Sequence, residues 1–182
     1  MPSTKIPKNE QTSPTNKENQ KKANTDLPEH VLIRFKSEDG LTISEHRNMI
    51  IAKGSAIFGK IGQGLSLDYI ALLNKQIARG APTYLFLTTR EGWNGPYVTY
   101  ECRLKNVQAQ LDSTKYDFVP KYYSAEYKNV KTWFEILTFE KMSKLAMNRI
   151  FVLSSGRVIM SVISSSATVF RVGLKDLDSV QN

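Results

Sequence analysis

Between Tyr84 and Tyr100 the chain reads as two strands around a loop that neither strand can enter. Tyr84, Leu85, Phe86 and Leu87 give an apolar run, Arg90-Glu91-Gly92-Trp93-Asn94-Gly95-Pro96 supplies turn residues, and a second strand starts at Tyr97. Glycine and proline around Trp93 break strand pairing, so a large flat side chain is expected at the mouth of a sheet and not in its middle. A sheet carrying an aromatic loop has the geometry of a binding module.

The second strand of this hairpin fixes two faces by alternation. Val98, Tyr100, Cys102 and Leu104 fall on one side, and Tyr97, Thr99, Glu101, Arg103 and Lys105 on the other. Cys102 lies on the apolar side and is expected to be a buried core thiol. As the single cysteine it excludes an intramolecular disulfide and a zinc site built on several thiolates, and a reducing, cytoplasmic setting is expected. No N-terminal apolar segment follows Met1, and no apolar run reaches the roughly 18 residues of a spanning helix.

Upstream, residues 1–26 hold almost nothing apolar after Ile6, a composition expected to stay disordered because burial cannot offset the entropy of ordering. That tail carries five lysines against Glu10, Glu18 and Asp26, a net of +2, which leaves +6 of the formal +8 on the remainder. A basic domain favours an acidic partner, nucleic acid or an anionic surface. The domain is expected to run over residues 27–174, with a C-terminal tail over 175–182.

Val31, Ile33 and Phe35 alternate with Leu32, Arg34 and Lys36, the period of a strand with one face inward. Asp39-Gly40 marks a turn, and Met49-Ile50-Ile51 is another short apolar run. Gly54 and Gly59-Lys60 have phosphate-loop spacing, but Ile61 stands where a hydroxyl should hold magnesium and Gly62 and Gly64 follow where a helix should begin, so nucleotide hydrolysis is not expected and the stretch is either a plain connector or a loop whose amides approach a phosphate backbone. Ser66 reads as an N-cap of a short amphipathic helix ended by Gly80, and Asp68 suits its dipole.

Phe118 to Tyr123 is expected to be extended around Pro120. Val130 to Leu137 is a strand in which Trp133 faces away from Phe134, either covering a second small cluster or offering a ligand platform. A helix over Glu140–Asn148, with Met142, Leu145 and Ala146 inward, precedes closing strands at Ile150–Leu153, Val158–Ile163 and Val169–Val172. Many short strands with two helices at the connections predict an α+β fold, mixed or antiparallel strands curled into a barrel with short connecting helices.

The order of features from Phe58-Gly59-Lys60 through Leu85-Phe86-Leu87 and Val119-Pro120-Lys121-Tyr122-Tyr123 to Trp133-Phe134-Glu135-Ile136 resembles that of PUA-like barrels. It is similar in particular to the EVE- and YTH-related modules that McrBC-type restriction systems use to recognise modified DNA. The resemblance covers about residues 28–174 and implies a PUA-like, EVE-like β-barrel that holds a modified base in an aromatic pocket without catalytic chemistry of its own. The partner so implied is nucleic acid, DNA before RNA, with a partner nuclease or motor subunit.

Read from residue chemistry alone, an unstacked base needs faces to sandwich it and polar groups to read its edge. Trp93, Trp133, Tyr97, Tyr122 and Tyr123 are the candidate faces, Asn94 and Glu91 the edge readers, and Lys60, Arg90, Arg103, Lys105 and Lys121 the phosphate ligands. No catalytic residue, metal ligand set, cofactor or membrane partner is expected. His30 and His46, without partners at metal-ligand spacing, are expected at the surface. The alternatives are a protein-interaction adaptor anchored by the aromatic loop and a small enzyme on a nucleic-acid-related substrate, for which Glu91 and Glu101 would have to meet in a cleft.

Overall fold

The computed structural model describes residues 27–36, 41–92 and 94–176. The expected tail over residues 1–26, the Asp39-Gly40 turn and Trp93 lie outside them, as do the last six residues. Eight strands form one sheet: β1 (His30–Arg34), β2 (Ala56–Ile61), β3 (Tyr84–Arg90), β4 (Tyr97–Gln108), β5 (Val130–Ile136), β6 (Glu140–Lys141), β7 (Ile150–Val152) and β8 (Val169–Leu174). The helices are α1 (Leu41–Lys53), α2 (Leu67–Ala78) and the single-turn α3 (Lys144–Met147), with 3-10 turns at Ser113–Phe118, Lys121–Ala125, Tyr127–Asn129 and Ile159–Ser161. No described helix is long and apolar enough to cross a membrane.

The order across the sheet is β2-β5-β4-β3-β1-β8-β7, with β6 beside β4. All pairs are antiparallel except β1 with β3, which are joined through α1, β2 and α2. The mixed α+β class is as expected, but the barrel is not closed. β2 and β7 end the sheet with one strand partner each.

Strand β4 gives the sheet its bend. Over Tyr97–Arg103 it pairs with β3, and from Leu104 to Gln108 with β5, the change of partner falling at a register shift between Leu104 and Asn106. Such an irregularity kinks a strand and raises its twist. The Asn74 side chain clamps the end of β4 to α2, donating to the Val107 carbonyl at 2.8 Å and accepting from its amide at 2.9 Å. Helix α2 begins where Ser66 predicts, its hydroxyl accepting from the Tyr69 amide.

Three apolar clusters occupy the faces of the sheet. The main one collects Val31, Ile33, Leu85, Leu87, Cys102, Phe134 and Ile136 beneath α1 and α2. A second, on the opposite face, joins Leu32 and Phe86 to Ile150, Ile159, Ile163 and Val172. The third, between β2, β5 and the 3-10 turns, contains Ile57, Val119, Tyr123, Val130 and Trp133. β1 and β3 are therefore buried on both faces, which corrects the one-face reading of β1 and accounts for their near-continuous apolar sequence.

Several other expectations give way to packing. Met49-Ile50-Ile51 ends helix α1, in which Ile43, His46 and Ile50 recur at helical spacing. His46 and Arg47 in the same turn mask that periodicity from hydropathy. Gly54 follows α1 and Lys60 lies within β2, so the glycine-rich connector is a helix end and a strand.

Of the stretch from Phe118 to Tyr123 only Val119 and Pro120 extend as expected, between a 3-10 turn that ends at Phe118 and another that begins at Lys121. Glu140 and Lys141 pair with β4, Ser143 caps α3, and Leu145 is exposed with Met147 buried in its place. Val158–Ile163 is a turn that drives Ile159 and Ile163, four residues apart, into the second cluster. His30 and His46, expected at the surface, are buried. Cys102 is buried as expected, and burial raises its thiol well above the ordinary value.

Candidate nucleic-acid interface

Strand β1 leaves the sheet through Arg34-Phe35-Lys36, and two cavities open on either side of that exit. The inner one, about 280 Å³, is bounded by the β1 exit, Thr42 of α1, Phe58 to Ile61 of β2, and Tyr122 and Tyr123 of the second 3-10 turn. The outer one, about 510 Å³, is lined by the same Arg34, Phe35 and Lys36 together with Thr88, Thr89, Arg90, Gly92, Tyr97 and Thr168. Among the described residues neither lining contains a carboxylate. Arg34, Lys36, Lys60 and Arg90 give the pair of cavities a positive field that is poorly screened where walls exclude water.

The walls of the inner cavity are aromatic. Phe35 meets Phe58 edge to face at 6.1 Å, and the rings of Tyr122 and Tyr123 lie 4.4 Å apart. Behind them His46 touches Phe58, Tyr122, Tyr123 and Phe139 within 6.3 Å. Both nitrogens of its ring face carbonyls, Thr42 at 2.6 Å and Ile57 at 3.2 Å. Two acceptors favour the imidazolium, but burial outweighs them and lowers the pKa to about 4. His46 is thus a neutral packing residue.

Tyr122 supplies the exceptional group. Its Oη is sealed from solvent and lacks a well-aligned hydrogen bond among the described residues, with the hydroxyls of Tyr123 and Thr42 close enough to oppose the upward push of burial on its pKa. Burial pushes this phenol up to about 12, so it stays protonated and able to donate. Lys60 is almost fully covered, its Nζ 3.3 Å from the Ile61 carbonyl, and burial lowers its pKa.

At the outer cavity the guanidinium of Arg90 stands 4.7 Å from the centre of the Tyr97 ring. Arg90 first, and Arg34 after it, hold the Tyr97 phenol below its ordinary value. Arg34 also donates to the Ile163 carbonyl at 2.8 Å. Neither arginine forms an ion pair among the described residues.

The structure brings together some of the residues expected from sequence and disperses others. Lys60, Tyr122 and Tyr123 line the inner cavity, and Arg90 and Tyr97 the outer. Tyr123 has a rim position only through its ring edge, being 3% exposed. Trp133 is buried at 4% exposure in the third cluster against Tyr123 and Tyr127, the cover over a small cluster and not a platform open to a ligand.

Of the edge readers, Glu91 is paired to Lys141 at 2.9 Å and Asn94 is exposed beside it in the loop. Arg103 lies exposed on the outer face of β4, and Lys105 is held by the buried Glu135 at 2.8 Å. Lys121 lines a separate groove with Glu45, Met49 and Lys53. Arg34, Phe35, Lys36, Thr42 and Phe58 were not among the expected site residues. The first three had a signal, a cation-aromatic-cation tripeptide directly after the apolar Val31-Leu32-Ile33, whereas Thr42 and Phe58 had none.

No family model, curated protein or solved structure matches this chain.

Proposed function

We propose that this protein binds DNA by holding one modified base in the inner cavity, with the sugar-phosphate backbone drawn along the basic exit of β1. The observation that carries the reading is the aromatic-walled cavity at the basic exit of β1, whose lining holds no carboxylate among the described residues. At about 280 Å³ it sits at the small end of ligand sites, which start near about 300 Å³, and suits a single planar ring system. Phe35, Phe58 and the ring of Tyr122 supply apolar faces, and Arg34 meets a flanking phosphate. A methyl on the base gains apolar contact within the same walls.

Arginine and lysine side chains without base-reading partners give affinity, and the enclosed aromatic cavity gives choice. The resemblance of the sequence to PUA-like and EVE-related modules supports the same reading, and extends the proposal to modification-dependent restriction in which a partner nuclease or motor subunit acts on the bound DNA.

The test is a set of titrations at fixed salt with matched strands carrying 5-methylcytosine, 5-hydroxymethylcytosine, N6-methyladenine or no modification. One modified strand is expected to bind at least about tenfold tighter than its unmodified counterpart, the discrimination of roughly one good base contact. Affinity for all strands should fall steeply with salt. Equal affinity for every strand would leave a general basic binder.

A further inference from the structure

The outer cavity is larger than a base pocket requires and is furnished differently. Its walls carry two guanidiniums, Arg34 and Arg90, that approach the same Tyr97 phenol and have no carboxylate partner among the described residues. The backbone donors at the β1 exit are already committed, the Arg34 amide to Thr168 O and the Phe35 amide to Thr88 O, both at 2.9 Å. The Thr88 hydroxyl is shared with Thr99 at 2.9 Å. What remains to meet a ligand are the two guanidiniums, which only donate, and the hydroxyls of Thr89, Thr168 and Tyr97, a set richer in donors than a base edge, with its mixed donors and acceptors, requires. A phosphodiester, which offers acceptors only, is well matched.

We infer that the outer cavity is a second nucleotide subsite, which takes the phosphodiester adjoining the base held in the inner cavity, with Arg34 and Arg90 as its ligands. The inference rests on the base-pocket reading above. Arg34, Phe35 and Lys36 line both cavities, so a strand whose base enters the inner one passes its backbone directly over the shared wall into the outer one. The subsite then fixes the path of the strand without reading its sequence. Tyr97 holds Arg90 in place, the guanidinium lying over its ring face. Recognition thereby spans more than one nucleotide, and a free modified nucleoside is a poor ligand compared with the same base in a strand.

The experiment compares three probes for each of 5-methylcytosine, 5-hydroxymethylcytosine and N6-methyladenine: the free nucleoside, the trinucleotide with thymidine on both sides, and the unmodified trinucleotide. The preferred trinucleotide is expected to bind about tenfold or more tighter than its nucleoside, the effect of one charge-assisted contact. Arg90→Gln should remove about that factor from the trinucleotide, lower its salt slope by about one and leave the nucleoside unchanged. Lys131→Gln, a cation lining neither cavity, should alter neither affinity by more than about twofold.

Equal affinity for nucleoside and trinucleotide, or a trinucleotide indifferent to Arg90→Gln, overturns the second subsite and leaves the base pocket standing. Trinucleotides that bind alike with and without modification, yet respond to Arg90→Gln, uphold the backbone site and remove the base pocket. No binding by any probe overturns both.

Discussion

The phenol of Tyr123 grips both backbone polar groups of Gly59, donating to the carbonyl at 3.0 Å and accepting from the amide at 2.9 Å. β2 is an end strand, and on the side away from β5 its backbone has no strand to pair with. The tyrosine stands in for that missing neighbour. It ties the 3-10 segment to the sheet and closes an edge that would otherwise invite pairing with another chain. Tyr123→Phe keeps the ring but leaves two buried backbone groups unpaired, and should lower unfolding stability by about 1–3 kcal/mol. Denaturant titration checks it, and an unchanged midpoint would show that water replaces the phenol.

Gly59 itself has no room for a side chain. A Cβ there would stand 2.9 Å from Trp133 Cζ3 and 3.0 Å from both Tyr123 Cε1 and Val130 Cγ1. Gly59→Ala should therefore overpack the third cluster and destabilise by roughly 1–3 kcal/mol, measured in the same titration.

Trp133 separates the structural from the functional account of the aromatics. Because it is buried, Trp133→Ala should cost about 3–5 kcal/mol of stability. In a variant still folded at low temperature, strand preference should persist. A stable Trp133→Ala protein that has lost base selectivity would return the indole to the binding site.

The two histidines predict a pH dependence of stability. Burial lowers both His30 and His46 from 6.5 to about 4 in the folded chain. Below pH 6.5 the unfolded chain takes up protons that the folded chain refuses. Their contribution is thus fully present above about pH 6.5, is lost progressively as pH falls toward 4, and changes no further below it. Each histidine is worth on the order of 3 kcal/mol over that window. His46→Gln, which keeps a donor for the facing carbonyls, should flatten the decline by about half; thermal melts from pH 7 to pH 4 read it directly.

What the sequence disclosed follows the strength of its local signals. The β3–β4 hairpin, the Ser66-capped helix and strand β5 were legible because turn residues, a cap and clean alternation each acted within a few residues. Helix α1 was not, since buried His46 and Arg47, whose Nε reaches the Phe139 carbonyl at 2.9 Å, occupy turns that hydropathy counts as polar. The Val158–Ile163 run has the composition of a strand, yet its isoleucines are needed as plugs beneath β1 and β3. Trp133 was correctly set opposite Phe134, but only the third cluster decides between a cover and a platform. The cavities themselves depend on β1 lying next to β3, a long-range parallel pairing with no local signature, and so Arg34, Phe35 and Phe58 could not be grouped from sequence.

The most direct measurement of the central claim is the affinity of Phe35→Ala and Tyr122→Phe for matched modified and unmodified DNA strands at one salt concentration, with folding verified for each variant. If the inner cavity holds the base, Phe35→Ala should weaken the modified strand by the equivalent of about 1–3 kcal/mol, one base-aromatic contact. Phe35→Ala should change the unmodified strand far less, and Tyr122→Phe, which keeps the ring at the cavity and loses only a phenol oxygen sealed from it, should leave both strands unchanged. Equal losses on the two strands for Phe35→Ala, or no loss on either, would contradict the assignment of this cavity to a base.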